Sequence, residues 1–308
     1  MIQVKSLKEK SRISMFLLPA IAIYTIFMIV PIVGALYFSV SDWSGILGTK
    51  IDFVGLSNYK AVFKDASFII SLKNMMRMVF FSVLFHTPIA LVLAVLINTK
   101  CRGYRFFKVI YFVPTIFPLT AIGLLWYFIF MPNGSFNAFL EFLGMYDSVK
   151  GWLIDPSTAM NTIIFVNIWA GIGYYMVILI AGLTTIPDEI YEAALIDGAT
   201  PIKQFFHITV PMLKPIISMC VLMDIIGTVK VFDLIFVMTE GGPNGLTNLP
   251  TTLMYYEAFR YDNYGKGSAI GIIILLIALI LTLGSNFVMD REKKGLRRGS
   301  VARENQEE

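Results

Sequence analysis

The chain has 308 residues, 56% of them hydrophobic and 15% charged, with a mean hydropathy of +0.72 and a formal net charge of +4. Soluble domains carry about 25% charged residues, so this composition excludes an ordinary soluble enzyme and defines an integral membrane protein. The positive balance comes from short Lys and Arg clusters flanking apolar runs, which argues against a nucleic-acid-binding face and fits anchorage at anionic lipid.

Six runs poor in fixed charge follow in chain order: Ile13 to Val40, Met75 to Ile97, Val109 to Met131, Met160 to Leu183, Pro215 to Met238 and Ser268 to Met289. Each is about 22 to 28 residues, enough at 1.5 Å per residue to cross a hydrocarbon core of about 30 Å. The predicted fold is an all-α polytopic membrane protein with six transmembrane helices and both termini on one side. The domain reading is a terminal segment 1–12, a six-span transmembrane domain 13–289 with a loop 184–214, and a tail 290–308. The first run is too long for a signal-peptide core. The tail from Arg291 to Glu308 alternates charges with no apolar periodicity and is expected to lack regular structure.

Basic residues orient the bundle. The N-terminus, the loops after runs two and four, and the C-terminus hold 16 Lys plus Arg, against 8 in the remaining loops and their flanks. This bias puts both termini and the 184–214 loop in the cytoplasm. Lys50, Lys60, Lys64 and Lys73 in the first outer loop run against it, and that loop is long enough for a folded segment with an interfacial helix. Cys101 falls in a cytoplasmic loop and Cys220 inside run five, so a structural disulfide between them is not expected.

Polar groups inside the runs are candidates for function. His86, beside Pro88, reads as a packing residue bonded to a carbonyl that the proline leaves free. Run four carries Asn167, Trp169, Tyr174 and Tyr175 around Gly171 and Gly173. Aromatic faces and a neutral amide suit a sugar, and the same residues also suit helix packing. Run five carries Asp224 near its centre, open between lining a pathway and bonding across a subunit contact, and Lys230 and Asp233, spaced to pair on one helix face.

The 184–214 loop has its own punctuation. Pro187, Asp188 and Glu189 suit a helix start, Gly198 a helix stop, and Thr200-Pro201 a second start. Ile190, Ala193 and Ala194 are expected to share a thin face that a partner surface can approach closely. Within this loop Glu192-Ala193-Ala194, three residues, Gly198, nine residues, Ile208, two residues and Pro211 resemble the "EAA" loop of permease subunits of binding-protein-dependent ABC importers. Phe53-Val54-Gly55-Leu56 with Asn58-Tyr59, and Phe232-Asp233 leading to Thr239-Glu240-Gly241-Gly242-Pro243, resemble the carbohydrate-uptake branch, similar to maltose and glycerol-phosphate permeases. The likeness spans roughly Ser14 to Phe287.

The resemblance implies a type I importer permease fold in a bacterial or archaeal plasma membrane, importing a sugar, oligosaccharide or related polyol. It implies a second homologous permease, two cytoplasmic ATPase subunits that bind ATP and Mg, and an extracytoplasmic solute-binding protein. Glu192, Ala193, Ala194, Asp197, Gly198, Ile208 and Pro211 would couple the chain to an ATPase. Asn167, Tyr174, Tyr175, Asp224, Lys230 and Asp233 are the candidate pathway residues, and the Gly241-Gly242-Pro243 turn would face the binding protein or simply end the span.

The chain itself carries no G-x-x-x-x-G-K-[ST] phosphate cradle; Gly265-Lys266 is followed by Gly267 and lacks the earlier glycine. It carries neither a G-x-S-x-G elbow nor a His-based metal motif, so it is read as a transport subunit and not an enzyme, with no catalytic residue and no metal site. An ion-coupled secondary transporter is the alternative. It accounts for midplane polar residues and leaves the Glu192 loop without a role.

Overall fold

The computed structural model describes residues 7–99 and 102–307, with side chains from 15 to 285 within those limits. Segment 1–6, Cys101 and the side chains from 286 onward, including the Arg291 to Arg298 cluster, lie outside the described residues. In chain order the helices are α1 (Leu7–Tyr24), α2 (Val30–Ser39), α3 (Ser57–Lys64), α4 (Ala66–Asn98), α5 (Tyr104–Phe112), α6 (Leu119–Phe130) and α7 (Ser135–Phe142). There follow α8 (Ala159–Leu183), α9 (Asp188–Ile196), α10 (Pro201–Gln204), α11 (Val210–Val229), α12 (Asp233–Met238), α13 (Pro250–Phe259) and α14 (Tyr264–Glu307). Among the described residues six segments are long and apolar enough to cross a membrane. Helix α14 continues to Glu307, where the sequence predicts an irregular tail. Residues after Met289 are mostly good helix formers without proline, so nothing local stops the helix.

One compact unit comprises, of the described residues, 7–65 and 254–273. Its first span, Met15–Ser39, is joined by a π-helical turn at Thr25–Ile29. Pro31 has no N–H for the carbonyl four residues back, Phe27, and the wider turn absorbs that missing bond. The loop after the span is folded: β1 (Ser41–Asp42) pairs antiparallel with β2 (Asp52–Phe53), and α3 follows. Trp43 stacks on Phe38 with centroids 4.4 Å apart and meets Tyr264 edge-on at 5.1 Å. Lys266 Nζ donates to Asp65 Oδ2 at 2.8 Å and Glu257 Oε1 at 2.7 Å, so each of these partly buried charges has a partner.

The other unit comprises, of the described residues, 66–99, 102–253 and 274–307. Helices α4, α8 and α11 pack together around a core that includes Ala90, Ala94, Met176, Leu179, Leu213 and Cys220. Small residues set the spacing. A Cβ on Gly171 of α8 would lie 2.6 Å from His86 Nε2 of α4, and one on Gly182 would lie 2.6 Å from Ile216 Cδ1 of α11.

Two spans are broken where the sequence predicts one continuous run, and the helix of run two starts earlier than expected, at Ala66, so that Lys73 lies in α4 and not in the preceding loop. The third run is not one helix: α5 ends at Phe112, a 3-10 turn covers Val113–Ile116, and Phe117 is extended before α6. Pro118 disfavours the helical region for Phe117, which is extended, and offers no N–H of its own, so the helix restarts after it. The fifth span begins earlier and ends earlier than expected. Helix α10, a π-helical turn at Phe205–Thr209 and α11 run without interruption from Pro201 to Val229, and the chain breaks at Lys230 to Phe232 before α12. The π turn again precedes a proline, Pro211, and holds the carbonyl, His207, that the proline cannot serve. At the break Val231 N–H bonds Thr228 O at 3.2 Å and Val231 O accepts the Thr251 hydroxyl at 2.5 Å, which satisfies the freed backbone.

Candidate functional site

The loop between α8 and α11 forms a two-helix knob. Asp188 and Glu189 occupy the first turn of α9, where the helix dipole favours negative charge. The helix closes on Gly198, whose φ is +75°: Gly198 N–H bonds Leu195 O at 3.1 Å and Ala199 N–H bonds Ala194 O at 2.9 Å. These two bonds are a Schellman closure, which needs the left-handed backbone that glycine adopts without a Cβ penalty. Thr200 then caps α10 by accepting the Lys203 N–H, with Pro201 at the first helical position.

The outward face differs from the sequence expectation. Ile190 and Tyr191 pack against the core beneath, and Ala194 is half-buried, so Ile190, Ala193 and Ala194 do not form one free face. The exposed surface is made by Glu192, Ala193, Asp197 and Gly198 together with Leu195, 68% exposed, and Ile196, 86% exposed. The reason is tertiary: α9 lies along the end of the bundle and must bury its larger apolar stripe there. Across the turn Ile202 and Phe206 are also exposed, while Ile208 is half-buried in the π turn and Pro211 is exposed. Tyr191 is a residue that sequence reasoning missed. Its hydroxyl lies 3.0 Å from Thr209 Oγ1 and ties the outgoing helix to the returning one.

A second feature lies in the middle of the bundle. His86 on α4 bonds Asp224 Oδ1 on α11 through Nδ1 at 2.8 Å and Asn167 O on α8 through Nε2 at 3.1 Å. Asp224 is 1% exposed and also meets the Tyr175 hydroxyl at 3.4 Å and the Thr228 hydroxyl at 3.3 Å. The proton inventory is forced. A carbonyl only accepts, so Nε2 must carry a hydrogen; Nδ1 and Oδ1 then need one proton between them. Whether that proton resides on nitrogen or oxygen, the pair is neutral as a unit. His86 therefore bonds a carbonyl, as expected, but one from a neighbouring helix, and its other nitrogen serves an acid 138 residues away in sequence.

A cavity of about 270 Å³ opens beside this pair, lined by Asn167, Tyr174, Tyr175, Asp224 and Thr228 and by Thr115 and Phe117 of the broken third span. Four of the six candidate pathway residues thus converge. Thr115 and Phe117 were missed, although prolines at 114 and 118 mark the irregular backbone that membranes tolerate only in protein or beside a cavity. Lys230 and Asp233 do not line it. Among the described residues no ion pair joins them, because the helix breaks between the two and both side chains are exposed. Asn167 turns its amide to Ser82 Oγ at 3.0 Å, which braces α8 on α4.

Because the Gly171 Cα sits against the imidazole, Gly171→Ala should displace His86 and break its bond to Asn167. Overpacking of this kind costs about 1–3 kcal/mol, read as a lower thermal midpoint of the purified protein; an unchanged midpoint would show that the ring has room to move.

Six candidate spans among the described residues, a cavity at a broken helix and a structured two-helix loop are features that suit a membrane transport component. The chain belongs to the inner membrane components of binding-protein-dependent transport systems, the permease subunits of ABC importers; the family model matches residues 86–297. It is 36% identical over 272 residues to the probable ABC transporter permease YurN of Bacillus subtilis, covering 87% of this chain and 92% of that one. It is 32% identical over 270 residues to the trehalose/maltose transport system permease MalF of Thermococcus litoralis, covering 87% and 90%. A permease chain in the crystal structure of a bacterial alginate importer matches its fold with a TM-score of 0.80 at 23% identity, covering 92% of this chain and 97% of that one.

Proposed function

We propose that this permease imports a sugar, oligosaccharide or related polyol and is driven through the α9–α10 knob. The substrate class rests on relatives named for trehalose and maltose, arabinooligosaccharides and multiple sugars, at 30 to 32% identity. The cavity supports it chemically: tyrosine rings offer apolar faces, hydroxyls and an amide offer neutral donors and acceptors, and the buried acid is neutralised by His86.

The observation that carries the coupling reading is the unbroken helical rod from Pro201 to Val229. It begins in the knob and carries Asp224 and Thr228 at the cavity, about 35 Å away at 1.5 Å per residue. Moving the knob as a rigid body therefore moves one wall of the cavity. In this reading two ATPase subunits bind ATP and Mg, and one of them grips the knob through Leu195, Ile196 and the residues around Glu192. A second permease completes the pathway, and an external solute-binding protein delivers the solute beside the Gly241-Gly242-Pro243 turn. Both termini and the knob face the cytoplasm, because that side holds the excess of Lys and Arg.

The test is copurification of the tagged chain with its neighbours in the membrane, combined with labelled sugar uptake. The expected result is an ATPase and a second permease in the complex, and uptake that stops on ATP depletion but survives an ionophore at constant ATP. Uptake that follows the ion gradient instead would establish the secondary transporter.

A further inference from the structure

We propose that α3 is an interfacial element that binds anionic lipid headgroups through Lys60 and Lys64, in the leaflet where the first span ends. Its depth comes from hydrogen bonds. Asn58 Nδ2 donates to Ser39 O at 3.0 Å and Ser41 O at 2.9 Å, and the Tyr59 hydroxyl lies 2.8 Å from Ser39 Oγ. Val54 N–H bonds Val40 O at 2.9 Å. Ser39 is the last residue of the membrane-crossing segment, so these bonds hold the first turn of α3 at the level where the chain leaves hydrocarbon.

The two faces of this element differ in chemistry. Asn58, Tyr59 and Val62 turn inward. Outward lie Phe53, 77% exposed, Leu56, 64% exposed, and Phe63, with Lys60 and Lys64 at helical spacing among them. Large apolar groups mixed with long basic side chains suit neither bulk water nor the hydrocarbon interior. They suit the boundary, where rings and leucine reach acyl chains and ammonium groups extend to phosphate.

Charge identifies the occupant. Lys50 is paired with Asp52 at 2.8 Å, and Asp65 is engaged by Lys266. Among the described residues Lys60 and Lys64 have no carboxylate within 4.0 Å. The C-terminal helix dipole accounts for Lys64 but not for Lys60 a turn earlier. Two like charges four residues apart repel, and an anion held between them removes that repulsion. These are also lysines that run against the positive-inside bias, so binding lipid phosphate gives them a role that orientation does not.

The experiment uses the assembled complex in vesicles of phosphatidylcholine with and without phosphatidylglycerol, carrying a nitroxide at Leu56→Cys in a Cys101→Ser background. The label should be relaxed by oxygen and shielded from an aqueous nickel chelate without any solute-binding protein present. Lys60→Gln and Lys64→Gln should each lower the preference for phosphatidylglycerol about five-fold in lipid retained on the purified complex. Unchanged helicity and membrane insertion establish that the variants fold. A label open to nickel in both vesicle types, or shielded only when the solute-binding protein is added, would overturn the proposal and assign the face to water or to that protein. A label in lipid with an unchanged lipid preference in the double variant would overturn the headgroup contact.

Discussion

Replacing His86 with leucine should destabilise the permease by about 3–5 kcal/mol, the range for removing one partner of a buried pair. Among the described residues the replacement leaves Asp224 with the two weaker hydroxyl contacts at 3.3 and 3.4 Å and no partner for its Oδ2. It also strips the Asn167 carbonyl of its imidazole donor. Asp224→Asn should be far milder, because its amide can donate to an unprotonated Nδ1 and keep the link between α4 and α11. Asp224→Leu should behave like His86→Leu. The double leucine variant should recover most of the stability, since exchanging a buried pair for apolar groups is often close to neutral. Its uptake should stay low, because the cavity has lost its polar wall. Thermal unfolding in detergent together with uptake by intact cells separates these outcomes. Equal stability of His86→Leu and the parent protein would show that the pair holds nothing together.

Ile196→Glu should release the ATPase subunits while leaving the permease folded and inserted. The side chain is 86% exposed, so its loss removes almost no internal packing. At a well-packed interface an apolar anchor is worth about 2 kcal/mol or more, so binding should weaken about 30-fold or further, and transport should fall in step. Gly198→Val tests the turn instead of the surface. Its Cβ would meet nothing within 4 Å, and the penalty is confined to a backbone with φ of +75°. That strain is about 1–2 kcal/mol and would loosen the Schellman closure and misplace Leu195 and Ile196. Normal ATPase copurification in both variants would remove the knob from the coupling path.

What could be read along the chain was whatever is decided by neighbours in sequence. Six apolar runs reveal six spans because the bilayer acts on each segment separately. The Gly198 stop and the Thr200-Pro201 restart were legible because their bonds span at most five residues. The same local rules mark Pro114 and Pro118 as breakers, though the apolar run across them hid the break. Tertiary structure decided the rest. Which face of α9 is free depended on what lies beneath Ile190 and Tyr191. Lys230 and Asp233 have helical spacing, yet the helix stops between them where Thr251 captures the Val231 carbonyl from 20 residues away. The pairing of His86 with Asp224 crosses 138 residues, and no periodicity encodes it. It exists because Gly171 lets α8 close on α4 and leaves the imidazole between two other helices, where low dielectric demands a partner for each of its nitrogens.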